Sequence, residues 1–303
     1  MTSGYLTLDD LVLRDGRVLR DILGGGSLYS AVGALAWGAS VGIHACAGGD
    51  YPRRSLEQIA AAGIDLRGVS TGPARSLRLW LLEEGDGRKQ QLPKLNSANI
   101  AELDAHRGPL PVSYHDAAGF HVATSLPETQ RRVAAEMRQI APGAVISLDI
   151  WTESFFDPAP YKAPAFYTGI DAFLPSDKEV EALWGLDDLA GVMHMLASYG
   201  PRSVAIKRGA LGSLVYDRKE EMLWEIPALL IEATDTIGAG DAYCGGFLAG
   251  LVERDDPLEA GLRGTVSASL AIEEHGAHAG MNSDRAELER RLATVRALVR
   301  QVS

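Results

Sequence analysis

Residues 235–248 read Asp235-Thr236-Ile237-Gly238-Ala239-Gly240-Asp241-Ala242-Tyr243-Cys244-Gly245-Gly246-Phe247-Leu248. Three small residues, Gly238, Ala239 and Gly240, precede a helical pattern whose apolar positions recur at Tyr243, Phe247 and Leu251. Small residues let backbone N–H groups at a helix start approach an anion closely, and the positive end of the helix dipole faces it. Asp241 falls in the first helical turn, where that dipole keeps it ionised and its carboxylate can reach a neighbouring hydroxyl. An anion cradle beside a carboxylate base is the arrangement that phosphoryl transfer to an alcohol needs. A bare GxGD would more simply be a glycine loop with an acidic helix start. The full heptad with its flanks is much more specific.

Outward from this stretch, strand-like and helical patterns alternate. Val41–Ala47, Gly119–Ala123, Ala144–Leu148, Ala172–Leu174 and Ser203–Lys207 read as strands. Between and after them, Pro52–Gly63, Glu128–Ile140, Lys178–Trp184, Leu189–Tyr199, Asp241–Glu253 and Leu258–Glu274 read as helices. Such alternation predicts an α/β fold with a doubly wound, mainly parallel sheet and helices on both faces. Two stretches break the pattern. Asp10–Leu13 and Arg17–Asp21 flank the turn Arg14-Asp15-Gly16, and Ser76–Glu83 and Arg88–Leu92 flank Gly85-Asp86-Gly87, whose DG pair favours a tight turn. With no helix following them, they predict a small antiparallel β lid from residues 10–23 and 75–94, inserted in a single domain over 1–303. A merely decorative edge sheet is the simpler alternative.

Composition narrows the function further. The 303 residues are 46% hydrophobic and 23% charged, a globular balance, with net charge −11. A surface of that sign repels nucleic acid and anionic lipid, so a phosphate-bearing ligand must be held by local dipoles, a metal or a few cations. The expected partner is a small-molecule substrate, with neither nucleic acid nor membrane. With no apolar run of membrane-spanning length and no secretory pattern at Met1-Thr2-Ser3-Gly4, a cytoplasmic protein is expected. Cys46 and Cys244 form no CxxC pair and predict buried free thiols, and the seven histidines include no HExxH pair. No GxxxxGK[ST] is present, and Tyr29 breaks the GxGxxG spacing after Gly24-Gly25-Gly26.

The 235–248 stretch resembles the C-terminal hallmark of the ribokinase/PfkB family of carbohydrate and nucleoside kinases. Gly24-Gly25-Gly26-Ser27-Leu28-Tyr29-Ser30-Ala31, continuing to Leu35-Ala36-Trp37-Gly38, resembles the family's GGxxxNxA…LG segment, with Tyr29 at the usual asparagine. Ala47-Gly48-Gly49-Asp50 resembles its GxD turn and Ala62-Gly63-Ile64-Asp65 its GVD segment. The matches span almost the whole chain. The resemblance implies a ribokinase-like fold and transfer of the γ-phosphoryl group of ATP, with Mg2+, to a hydroxyl of a sugar, polyol or nucleoside. It leaves room for a monovalent cation near Asp235 and for a homodimer through the β lid. With three residues ahead of Gly4, the family's first central strand is expected to be short or absent.

The same resemblance distributes roles. Asp241 becomes the base, with Gly238, Ala239 and Gly240 as the catalytic anion cradle. Asp9, Gly24, Gly25 and Tyr29 line the substrate side; the register points to Asp9 as the hydroxyl holder and turns Asp10 toward solvent. Glu179, in Ser176-Asp177-Lys178-Glu179, stands at the family's metal-organising glutamate, although Ser176-x-x-Glu179 is equally a capping box. Asp235 is the second metal candidate. Lys207, Gly209 and Gly276 are implied at the nucleotide, with the alternatives that a basic residue after a strand is merely solvated and that His275 only complements a helix end. A non-catalytic ligand sensor on the same fold is the competing function, since fold does not establish turnover.

Overall fold

The computed structural model describes residues 1–72, 75–83, 89–152 and 157–302. The chain opens with strands β1 (Thr2–Tyr5), β2 (Thr7–Val12) and β3 (Val18–Gly24), then helix α1 (Gly26–Leu35), β4 (Val41–Ala47), α2 (Arg53–Ala61) and β5 (Ile64–Thr71). Next come β6 (Leu79–Glu83), β7 (Lys89–Pro93), α3 (Ile100–Ala105), β8 (Gly119–Val122), α4 (Pro127–Ile140), β9 (Val145–Leu148) and β10 (Ala172–Phe173). Then follow α5 (Asp177–Trp184), α6 (Leu189–Ser198), β11 (Ser203–Lys207), β12 (Ser213–Asp217) and β13 (Met222–Ile226). The long helices α7 (Ala239–Arg254), α8 (Pro257–Ala271) and α9 (Arg285–Arg296) precede the edge strand β14 (Arg300–Val302).

Ten strands form one sheet in the order β14-β13-β12-β11-β10-β9-β8-β1-β4-β5. From β5 across to β11 every pairing is parallel, and β12 to β14 continue antiparallel. Alternation along the buried strands sends side chains to both faces. Phe173, Val204 and Ile206 join Met193 and Leu196 of α6 on one side, while Ala172 and Ala205 join Phe247 of α7 and Leu262 of α8 on the other. That two-sided burial is why these strands read as continuous apolar runs. Helix starts are set by local chemistry: Asp256 accepts hydrogen bonds from the Leu258 and Glu259 amides ahead of α8, whose first residue is Pro257.

The first central strand, expected to be short or absent, is present and short. β1 has four residues and lies between β4 and β8 in the middle of the sheet. A second sheet has the order β3-β2-β6-β7. Its hairpins are antiparallel, but β2 and β6 pair in parallel, which corrects the expectation of a wholly antiparallel lid. The reason is topological: β2 and β6 come from separate stretches of chain, so no hairpin turn dictates their mutual direction. The turn expected at Gly85-Asp86-Gly87 lies outside the described residues. β2 begins at Thr7 and β3 runs to Gly24, so Asp9 and Gly24 are carried by the small sheet itself. Both cysteines are free and buried. Among the described residues, no helix is long and apolar enough to cross a membrane.

Candidate active site

Helix α7 begins at Ala239, so the Ala239 and Gly240 amides belong to its open first turn rather than to a preceding loop. Its N-cap, Gly238, has φ +73°, a left-handed conformation that side chains disfavour. A Cβ there would also lie 2.3 Å from ring atoms of Tyr29, so the tyrosine ring rests directly on the first residue of the cradle. The loop ahead of the helix is tied at Asp235, which is buried: its Oδ1 accepts from the Ile237 amide at 2.9 Å, and His275 Nδ1 lies 3.2 Å from its Oδ2.

Asp241 sits where α7 meets the start of α1. A Cβ on Gly26 would stand 2.8 Å from Asp241 Oδ1, so only glycine lets the two helix ends approach this closely. Burial pushes the Asp241 carboxyl up to about 6, with Lys207 pulling it down and Glu179 pushing it further up. The group is therefore mostly ionised at neutral pH yet close to a proton-accepting range.

Lys207 is not a solvated residue after a strand. Its side chain is largely buried and ion-pairs with Asp149, itself buried at the end of β9. Nζ lies 3.5 Å from the position a Gly240 Cβ would take, beside the cradle, and 3.6 Å from Cys244 Sγ. Burial alone would lower the lysine; Asp149, Cys244 and Glu179 together outweigh it and hold Lys207 well above its ordinary range. Burial raises the Cys244 thiol, so it is a filler rather than a nucleophile. Asp149 was missed in the sequence because Ser147-Leu148-Asp149-Ile150 looks like a strand end with an ordinary acidic residue.

Glu179 forms the capping box expected as its alternative role. Ser176 Oγ accepts from the Glu179 amide at 3.4 Å, and the Glu179 carboxylate accepts from the Ser176 amide, which completes a capping box. Burial and the charge of Asp149 push its carboxyl up to about 7. The start of α5 also bridges to Lys207, which brings Glu179, Asp149, Lys207 and Asp241 into one electrostatic cluster.

On the opposite side stand the residues of the small sheet. Asp9 is 4% exposed; Thr7 donates to its Oδ2 at 2.7 Å, and its Oδ1 has no hydrogen-bond partner. Burial lifts its carboxyl to about 7 against the pull of Thr7. A Cβ on Gly24 would fall 2.5 Å from Asp9 Oδ2, and Gly25, with φ +101°, caps α1. Asp10 does not face solvent. It is 2% exposed and is held by Lys94 at 2.7 Å, Arg20 at 3.2 Å and the Asp21 amide at 3.1 Å. Lys94 and Arg20 cover Asp10 on one face of β2 while Thr7 and Gly24 adjoin Asp9 on the other, so its alternation separates two buried environments rather than core from water. Trp80 pairs in register with Asp10 and carries Lys94 4.7 Å above its ring.

The nucleotide candidates are dispersed. Gly209, with φ +55°, lies on the turn between β11 and β12, where a Cβ would meet nothing within 4 Å. Gly276, with φ +79°, packs instead against Ile22 and the Leu23 carbonyl of β3. Among the described residues no three carboxylate, histidine or cysteine side chains converge to hold a metal. Mg2+ ordinarily keeps several waters and takes one or two carboxylates plus phosphate oxygens, and a single carboxylate such as Glu179 fits that habit. Asp235 fits it less well, since both its oxygens already serve the loop.

Comparison with known proteins agrees with this geometry. The chain matches the pfkB family carbohydrate kinase pattern over residues 11–284. It is 29% identical to the cytidine kinase of Thermococcus kodakarensis over 86% of this chain and 90% of that protein. It is 23% identical to the ribokinase of Haemophilus influenzae over 88% of this chain and 86% of that one. Among solved structures, an Escherichia coli protein in complex with ATP and Mg2+ superposes with a TM-score of 0.75, at 20% identity, over 97% of this chain and 98% of that one. The chain has the ribokinase fold and belongs to the pfkB family of carbohydrate kinases.

Proposed function

We propose that the protein transfers the γ-phosphoryl group of ATP to a hydroxyl of a sugar, polyol or nucleoside. The observation that carries this is the meeting of Asp241, at the open start of α7, with the start of α1 at Gly26, next to the loop that bears Gly24 and Gly25. That geometry supports Asp241 as a proton acceptor between the open helix end and the side that holds Asp9. Asp241 accepts the acceptor's hydroxyl proton. The amides of the first turn of α7, following Gly238, and the Lys207 charge beside Gly240 face the phosphate oxygens. Glu179 would hold Mg2+ through water, and the metal supplies charge neutralisation on the phosphates. Asp9 orients the acceptor through its hydroxyls.

The test is Mg2+-dependent ATP consumption against a panel of free sugars, polyols and nucleosides. Acceptor-stimulated consumption supports the kinase. Binding of a panel member with no consumption above the background rate would instead mark a sensor on this fold.

A further inference from the structure

Where β8 and β9 part at the C-terminal edge of the sheet, a side chain from α4 takes the place of the ladder. The two strands pair up to Val122 and Leu148, and the Asp149 amide donates to the Val122 carbonyl at 3.1 Å. Beyond that rung stands Gln130, fully buried in the first turn of α4. Its Nε2 donates to the Ala123 carbonyl at 3.0 Å and to the Asp149 carbonyl at 2.6 Å. Its Oε1 accepts from the Tyr161 hydroxyl at 2.9 Å, and the carbonyl of Tyr161, also fully buried, accepts from the Tyr167 hydroxyl at 2.6 Å. Carbonyl oxygens only accept, so the carboxamide has one orientation, with its nitrogen toward the strands and its oxygen toward Tyr161. Both N–H donors and the oxygen are thereby used, and a buried network satisfied in this way is rigid.

The two carbonyls it ties belong to the two sides of the site. Ala123 adjoins the start of α1: its Cβ lies 3.2 Å from the position a Gly26 Cβ would take, and Asp241 Oδ1 lies 2.8 Å from that same position. Asp149 carries Lys207, whose Nζ stands 3.5 Å from the position of a Gly240 Cβ. One carboxamide thus joins the strand end beside Asp241 to the strand end that carries the charge beside the cradle. Lys207 holds the side chain of Asp149 and Gln130 holds its main chain, so the place of the lysine depends on that tether. The simpler account is that Gln130 only closes the sheet. A misplacement of about 1 Å, caused far from the reacting atoms, can cost about a hundredfold in rate, so a small drift of the β9 end reaches the chemistry.

We propose that Gln130 is a positioning residue for phosphoryl transfer: it fixes the spacing between the ends of β8 and β9 and so holds Lys207, through Asp149, in register with Asp241. It acts through the two strand ends and not on the reacting atoms. The proposal rests on the kinase reading for the reaction it serves, but one arm of its test needs no turnover.

Gln130→Met keeps the length of the side chain and removes its hydrogen bonds. The first measurement is the NMR resonance of the Lys207 ammonium in the full chain without ligands, assigned by its loss in Lys207→Met. In Gln130→Met the hydrogens of that ammonium exchange with solvent at least about tenfold faster than in the wild type. The second is the steady-state rate with the best acceptor of the panel: kcat falls about ten- to a hundredfold while the acceptor KM changes by less than about threefold. The same substitution placed in Asp149→Asn/Lys207→Met, where no charge remains to be positioned, lowers kcat by less than about twofold. Tyr161→Phe, which keeps the ring and deletes only the donor on the carboxamide oxygen, quickens the same exchange and stands in if Gln130→Met does not fold. The proposal is overturned if the Lys207 exchange is unchanged in Gln130→Met or in its stand-in. It is equally overturned if Gln130→Met costs kcat the same in both backgrounds, as a residue that only closes the sheet would. A Lys207 signal that loosens as expected, in a protein whose wild type consumes no ATP with any acceptor, overturns the kinase reading alone.

Discussion

Lys207→Met offers a quantitative probe of the buried cluster, because it keeps the aliphatic stem and deletes the charge. The change strands Asp149, which is 3% exposed, in a site where burial already drives its carboxyl upward. Left ionised and unpaired, Asp149 would destabilise the fold by about 3–5 kcal/mol. The alternative is protonation. For a carboxyl with an unfolded pKa near 3.9, holding the proton in the folded state at pH 7 costs about 1.4 kcal/mol per unit over roughly three units, or about 4 kcal/mol. At pH 5 the same step costs only about 1.5 kcal/mol. The sign follows from the proton count: between these pH values the folded variant holds a proton that the unfolded chain has released, so its stability rises as pH falls. In the wild type, Lys207 opposes protonation of Asp149, so Asp149 adds less to the slope that the raised carboxyls of Asp9, Glu179 and Asp241 give both proteins. Urea unfolding of both proteins at the two pH values should therefore show a deficit in the variant that shrinks by up to about 2.5 kcal/mol on acidification. The double variant Asp149→Asn/Lys207→Met should recover most of the loss and show no slope beyond that of the wild type. A deficit equal at both pH values, or a double variant no more stable than the single one, would refute the buried pair. A second consequence is kinetic: with its one compensating cation gone, Asp241 should titrate higher, moving the acid limb of the rate profile upward.

The remaining expectations concern the carboxylates. Asp241→Asn should lower kcat by at least about a hundredfold while ATP affinity changes little, and near-normal turnover would remove Asp241 from the mechanism. In the wild type, kcat/KM should fall as pH drops through about 6, where Asp241 gains its proton and can no longer accept one. Glu179→Gln separates the two roles of that residue: a higher Mg2+ requirement at unchanged Tm marks the metal role, whereas a stability loss of up to about 1 kcal/mol with unchanged Mg2+ dependence marks the cap alone.

Much of this was legible in the sequence, for identifiable reasons. The central strands announce themselves because burial on both faces forces runs such as Ser203-Val204-Ala205-Ile206-Lys207, and α7 announces itself through its small residues and the recurrence of Tyr243, Phe247 and Leu251. Asp9, Gly24, Gly25 and Asp241 were named from the family resemblance, and the structure sets Asp9 against Gly24 and Asp241 against Gly26. Asp10 was misplaced because alternation along one strand cannot tell solvent from a second buried layer, and Lys94 and Arg20 are distant partners in sequence. The burial of Lys207 was not legible for the same reason: it depends on Asp149, 58 residues earlier. Gly26 carries a signal that was visible but unread, a third glycine where two suffice for the turn.

The position of β1 has a consequence for how the molecule is made. Its neighbours β4 and β8 emerge from the ribosome in turn, but α1, which covers its face, rests chiefly on α7, and that helix is not synthesised until residues 239–254. The first elements to appear are thus among the last to be fully enclosed, and the face of α1 at Ser30, Gly33 and Ala34, which meets Ala242 and Gly245, stays uncovered through most of translation. Contacts so distant along the chain close slowly, and an exposed apolar helix in a half-made chain invites association with its copies. Yield of folded protein should therefore respond more to the speed of translation and to holding chaperones than the stability of the finished molecule would suggest.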